Sequence, residues 1–238
     1  MSVKVQAEIT PTVVRWARER ARLPVEKLAK TLQKTPESVS DWERGRTTPT
    51  LSQAQRLADA LHIPFGYLFL PDPPVEQLPL PDFRTIGDAE VRQPSASLID
   101  LIDGVLVKQD WYRQFVRTEG RSPLPFVGRF TTQSRINDVA RDLSSALNID
   151  QARSASDDWE DFLRMIIGNA EALGILVMKT GVVEGNAHRP LSVSEFRGFA
   201  ISDHFAPVVF INARDAQTAQ IFTLLHELVH MDRHEWHF

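Results

Sequence analysis

The 238-residue sequence predicts a mainly α chain with a small β-sheet, an N-terminal helical bundle followed by an α+β domain. Three observations predict this class. The first seventy residues hold short runs with apolar side chains at helical spacing, each bounded by a capping signal. Later, longer helical stripes give way to short β-branched runs separated by a turn. Between the two regions, residues 71–81 (PDPPVEQLPLP) hold 5 of the 15 prolines. Proline fixes φ and removes a backbone donor, so this stretch reads as an extended, semi-rigid connection. The expected organisation is a bundle over residues 8–70, a linker over 71–84 and a second domain over 85–238.

Each element follows from its residues. Thr10 and Pro11 make an N-cap and first-turn pair, and Val13, Trp16 and Ala17 continue a stripe. Pro24 opens the next helix, with Val25, Leu28, Ala29 and Leu32 at i, i+3, i+4 and i+7. Thr35 and Pro36 repeat the cap pair before Val39 and Trp42, with a stop at Gly45. Thr50 caps a helix carrying Leu51, Ala54, Leu57, Ala58 and Leu61, and residues 64–70 form a last short apolar turn. Helices this short need one another to be stable.

After the linker, residues 95–118 read as a long helix carrying Leu98, Leu101, Ile102, Val105 and Trp111. Residues 134–148 form another, with Ile136, Val139, Leu143 and Leu147. A third begins at Asp157, where Asp157 and Glu160 have capping-box spacing, and ends at Gly174. Residues 175–179 form a short apolar strand. The runs 197–202 and 207–212, separated by residues 203–206, suggest an antiparallel hairpin. The last helix, roughly 215–231, has apolar residues around most of its circumference and is expected to be deeply buried. Asp215 is its candidate cap.

Composition excludes several classes. The absence of cysteine excludes a disulfide scaffold, a thiolate metal site and a cysteine nucleophile. No apolar run is long enough to span a membrane, and the N-terminus lacks a signal-peptide pattern. A cytoplasmic protein is the expectation. Net charge is −4 but uneven: residues 1–70 carry 11 Lys and Arg against 7 Asp and Glu, and residues 71–238 carry 16 against 24. A basic front on an acidic body suits an anionic partner for the front.

The sharpest chemical signal is His226-Glu227-Leu228-Val229-His230. Residues four apart share one helix face, so His226 and His230 can clasp one zinc ion, with Glu227 as general base toward water. Four of the seven histidines, His226, His230, His234 and His237, lie in the last 13 residues. A straight helix places His234 about 12 Å along the axis from His226. His234, Glu235 or His237 would therefore need a break after His230 to join the pair. His188 and His204 have no spacing that supports them as ligands.

The front region has the arrangement of two helices joined by a short turn. The segment VEKLAKTLQKTPESVSDWERGRTTPTLSQAQRLADAL resembles the Cro/CI-type helix-turn-helix family. Ala29 is the small residue at the helix crossing, and Gln33 stands where glycine is common. The resemblance implies DNA binding by the front of the second helix. Glu37, Ser38 and Asp41, beside Pro36 and the cap Thr35, would face base edges. Lys34, Arg44 and Arg46 would contact phosphates. Two carboxylates on this front also leave room for a protein-binding bundle.

Residues 191–230, LSVSEFRGFAISDHFAPVVFINARDAQTAQIFTLLHELVH, resemble the ImmA/IrrE-type metallopeptidase domain, with PDFR at 81–84 also similar. The resemblance implies a zincin-like α+β fold, His226 and His230 as metal ligands and Glu227 as base. It also implies an edge strand around 208–211 that holds an extended peptide by β-addition. The family's third ligand is an acidic residue on a later helix, whereas this sequence stops at Phe238. A longer parent protein, a degenerate domain and a substitute ligand from the tail all stay open. The expected function is a cytoplasmic transcriptional regulator whose second domain cleaves or binds a partner protein such as a repressor. The alternative is a non-catalytic regulator or toxin–antitoxin component. The expected cofactor is zinc. The expected partners are DNA and a protein, with a homodimer left open and no membrane.

Overall fold

The computed structural model describes residues 5–75, 94–131 and 133–232. The chain divides into two compact units, Met1–Gln77 and Leu78–Phe238. The PDFR segment and the tail candidates His234, Glu235 and His237 lie outside the described residues.

The first unit contains α1 (Pro11–Arg20), α2 (Val25–Leu32), α3 (Pro36–Glu43) and α4 (Leu51–Leu61), then a 3-10 turn at Phe65–Phe69. The expected helices form; Thr35 and Thr50 cap as read, whereas Thr10 stands at the N-cap of α1 without a side-chain capping bond. The Thr35 hydroxyl accepts from the Ser38 N–H at 3.3 Å. Thr50 and Gln53 form a full capping box. Gln33 ends α2 in the left-handed conformation, φ 55°, where glycine carries no steric cost. Val14, Ala17, Leu28, Ala29, Val39 and Trp42 meet in one core. An unforeseen strand-like contact precedes α1: Ala7 N–H donates to the Pro49 carbonyl and Leu51 N–H to that of Val5.

The second unit begins with α5 (Ala96–Thr118), capped by Ser95. Then come α6 (Ile136–Ala146), α7 (Ile149–Ala155), α8 (Trp159–Ala172), β1 (Leu176–Thr180), β2 (Val182–Val183), β3 (Asn186–Pro190), β4 (Gly198–Ile201), β5 (Val208–Asn212) and α9 (Gln217–Asp232). The main sheet has the order β1-β5-β4, with β1 parallel and β4 antiparallel to β5. Leu98, Ile102 and Val105 of α5 pack with Phe199, Val208 and Phe210. Leu163, Ile166, Leu224 and Leu228 of α8 and α9 join a second core with Ala200, Val209 and Ile211. Side chains alternate across a strand, so α5 covers one face of the sheet and α8 and α9 the other.

Several expectations need correction. The strand at 208–211 is central, because β1 pairs on its other side, so β4 and β1 are the edges. The helix expected over 134–148 is α6; the unforeseen element is α7, which starts directly after Asn148, a residue at φ 48°. The cap of α8 is Asp158, accepting from the Asp161 N–H at 2.8 Å, one residue later than read. Ile136 and Trp111 are exposed: apolar spacing marks a helical face without showing what covers it. The β2–β3 hairpin was not anticipated. The last helix is only partly buried, with Phe222 67% exposed and His226 exposed. Its apolar circumference therefore overstated its burial.

Candidate functional site

The clearest chemistry lies on α9. Leu224, Leu228 and Met231 are buried and anchor one face. On the other side, the Nε2 atoms of His226 and His230 lie 3.0 Å apart. The imidazoles meet edge-on at 4.5 Å between centroids. Phe222, one turn earlier, stacks on His226 at 5.7 Å and 18°. It was read only as an apolar residue of the helix. Its i, i+4 spacing to His226 is the signal that could have marked it as a neighbour of the motif.

Glu227 points elsewhere. Its carboxylate accepts a hydrogen bond from the backbone N–H of Ala200 on β4, and burial pushes its pKa up to about 7 despite that bond. The contact depends on strand register. Asn212 N–H donates to the Arg197 carbonyl. By the alternation of an antiparallel ladder, residues 199 and 201 turn toward β5, while Gly198 and Ala200 present their N–H and C=O groups to the outer edge. Gly198 lets α9 come close: a Cβ there would collide with the Thr223 methyl and stand 2.5 Å from the Phe210 carbonyl oxygen. One helix thus presents a solvent-facing imidazole pair and a half-buried carboxylate seated on an edge strand.

The donors suit a metal ion. Zn–N bonds of about 2.0–2.1 Å at a tetrahedral angle place two nitrogens about 3.3 Å apart, close to the observed separation. Among the described residues, no group of three His, Cys, Asp or Glu is gathered to hold a metal. His188 lies on β3 and His204 between β4 and β5.

The front of α3 is the second candidate surface. Lys34, Thr35, Glu37, Arg44 and Arg46 are exposed, and Ser38 and Asp41 are half-buried. All seven expected residues therefore lie at the surface of the first unit. Arg46 pairs with Asp41 at 3.5 Å. The carboxyl of Glu37 is held below its usual range by its own backbone N–H and by the Thr35 hydroxyl. Lys34 and Arg44 have no ion pair among the described residues. Behind this face, Arg18 of α1 holds Glu43 of α3 through bonds of 2.6 and 3.1 Å. Sequence spacing gave no sign of this pair, which joins residues 25 apart.

Comparison with known families agrees with these two units. Residues 14–68 match a family model described as helix-turn-helix. Residues 170–236 match one described as IrrE N-terminal-like domain. No curated protein and no solved structure matches the chain. No helix of the described residues is long and apolar enough to cross a membrane.

Proposed function

From a chain in which a helix-turn-helix segment precedes an IrrE-like one, we propose a cytoplasmic transcriptional regulator that binds DNA and acts on a partner protein. The observation that carries the second activity is the α9 arrangement, two imidazole nitrogens 3.0 Å apart with the intervening carboxylate seated on β4. His226 and His230 would hold a zinc ion, which supplies Lewis acidity when bound. Glu227, with a proton affinity near neutrality, accepts the proton of an attacking water and returns it to the leaving amine. The part of the outer edge of β4 that Glu227 leaves open, the backbone groups of Gly198 and the Ala200 carbonyl, pairs with an extended peptide of a protein substrate such as a repressor, in place of the strand at 208–211. Phe222 limits the rotation of the His226 ring.

In the first unit, Lys34, Arg44 and Arg46 contact phosphates. Thr35, Glu37, Ser38 and Asp41 face base edges, where carboxylates accept from cytosine amino groups. Asp41 also aims Arg46 through their ion pair.

The test begins with metal content and intact mass of the purified chain. The reading expects about one zinc per chain, lost in His226→Ala and kept in Glu227→Gln, with cleavage of a partner protein absent in the latter. No zinc at the correct mass removes the hydrolytic half and leaves a non-catalytic regulator or toxin–antitoxin component. For the DNA half, a gel shift on the region upstream of its own gene should weaken as salt rises and in Arg44→Glu. Binding indifferent to both refutes it.

A further inference from the structure

We infer that the second unit carries a binding site for a small aromatic carboxylate, in a cavity between α5, β1 and the β2–β3 hairpin. The cavity has a volume of about 330 Å³ and does not include the α9 residues. Its size is within the range of ligand pockets. Leu101, Val105, Met178, Val182 and Phe210 supply apolar walls. Such walls favour an apolar ligand body, and a thioether beside a ring favours an aromatic one.

Two glycines keep the space open. Gly104 sits in the interior of α5, where glycine is a poor helix former relative to alanine. A Cβ on Gly104 would meet nothing within 4 Å, so close packing does not explain the residue. Gly185 likewise borders the cavity with open space beside it, at φ 74° in the hairpin turn. Flat backbone on two sides suits a planar ring.

The rim specifies charge. Lys108 and Lys179 line the cavity, are exposed, and have no ion pair among the described residues. Asp100, also on the rim, is paired with Arg189. Glu184 is the one other carboxylate there, so with Asp100 neutralised by Arg189 from outside the cavity, the two lysines face a single remaining carboxylate. An apolar cleft with two available ammonium groups at its mouth selects a carboxylate-bearing ligand over a neutral one.

Calorimetric titration of the full chain with 3-phenylpropanoate tests the assignment, with 3-phenylpropan-1-ol as the neutral analogue. The acid should bind saturably, and the alcohol and the Lys108→Glu/Lys179→Glu variant should each bind about tenfold more weakly. Gly104→Leu should abolish binding by filling the cavity. Gly104→Ala, which favours the helix and keeps the fold, should weaken it. No binding of the acid at millimolar concentration overturns the proposal. Equal binding of acid and alcohol, or full affinity in both Gly104 variants, overturns it as well.

Discussion

Thr223 of α9 packs directly over Gly198 of β4, in the space a side chain at Gly198 would need. This contact sets the distance between the helix that carries the histidines and the strand that holds Glu227. Gly198→Ala should destabilise the second unit by about 2 kcal/mol, the usual scale of overpacking in a well-filled core. Adding Thr223→Ser removes the methyl clash but leaves the Phe210 carbonyl 2.5 Å from the new Cβ. Rescue in the double variant should therefore be partial. Urea unfolding of the three proteins checks this, and full rescue would show that the backbone clash relaxes freely.

The Arg18–Glu43 pair ties the C-terminal end of α3 to α1 through two hydrogen bonds, with both side chains mostly out of water. Removing one partner strands a poorly solvated charge. Arg18→Met alone should cost about 3 kcal/mol, whereas Arg18→Met with Glu43→Leu should recover most of the loss. Thermal unfolding of the single and double variants measures the difference. A double variant as unstable as the single one would mean that the pair contributes attraction beyond its desolvation cost.

Gln33 adopts φ 55° at the end of α2, a conformation that costs a non-glycine residue about 1 kcal/mol or more. Glycine relieves that strain and loses part of the gain to its greater freedom when unfolded. Gln33→Gly should stabilise the first unit by about 0.5 kcal/mol, read as a higher unfolding midpoint in urea. A lower midpoint would show that the Gln33 side chain offsets its backbone strain.

The sequence made local features legible and contacts across distance much less so. Thr35, Thr50 and Pro11 announce helix starts because capping depends on neighbours within a turn. The motif at 226–230 is visible because helical spacing alone brings its imidazoles together. Strand order was misread because the run 208–212, apolar from 208 to 211 and buried throughout, shows that both faces are covered without showing that β1 pairs on the far side. The Ala200–Glu227 bond, the Arg18–Glu43 pair and helix α7 after the left-handed Asn148 were missed for related reasons. Each depends on tertiary register, on residues far apart, or on a left-handed residue without glycine's signature.

Asp203 supplies a pH-dependent brace between α5 and the β4–β5 turn. Burial raises its pKa, but the backbone N–H groups of Phe205 and Ala206 and the Arg113 guanidinium, 3.1 Å away, outweigh burial and hold it below the usual carboxylate range. A depressed folded-state pKa means that the unfolded chain takes up the proton first as pH falls. The stability from Asp203 is therefore fully present above the unfolded value of about 3.9 and is lost as pH falls through the lower folded value. Asp203→Asn should cost about 1–2 kcal/mol at pH 7, since hydrogen bonds to a charged acceptor are lost or weakened. The gap between wild type and variant should stay constant down to about pH 5 and then narrow with further acidification. Urea unfolding from pH 7 to pH 3 reads the gap directly. A gap that widens in acid would reverse the sign and place the folded-state pKa above the unfolded one.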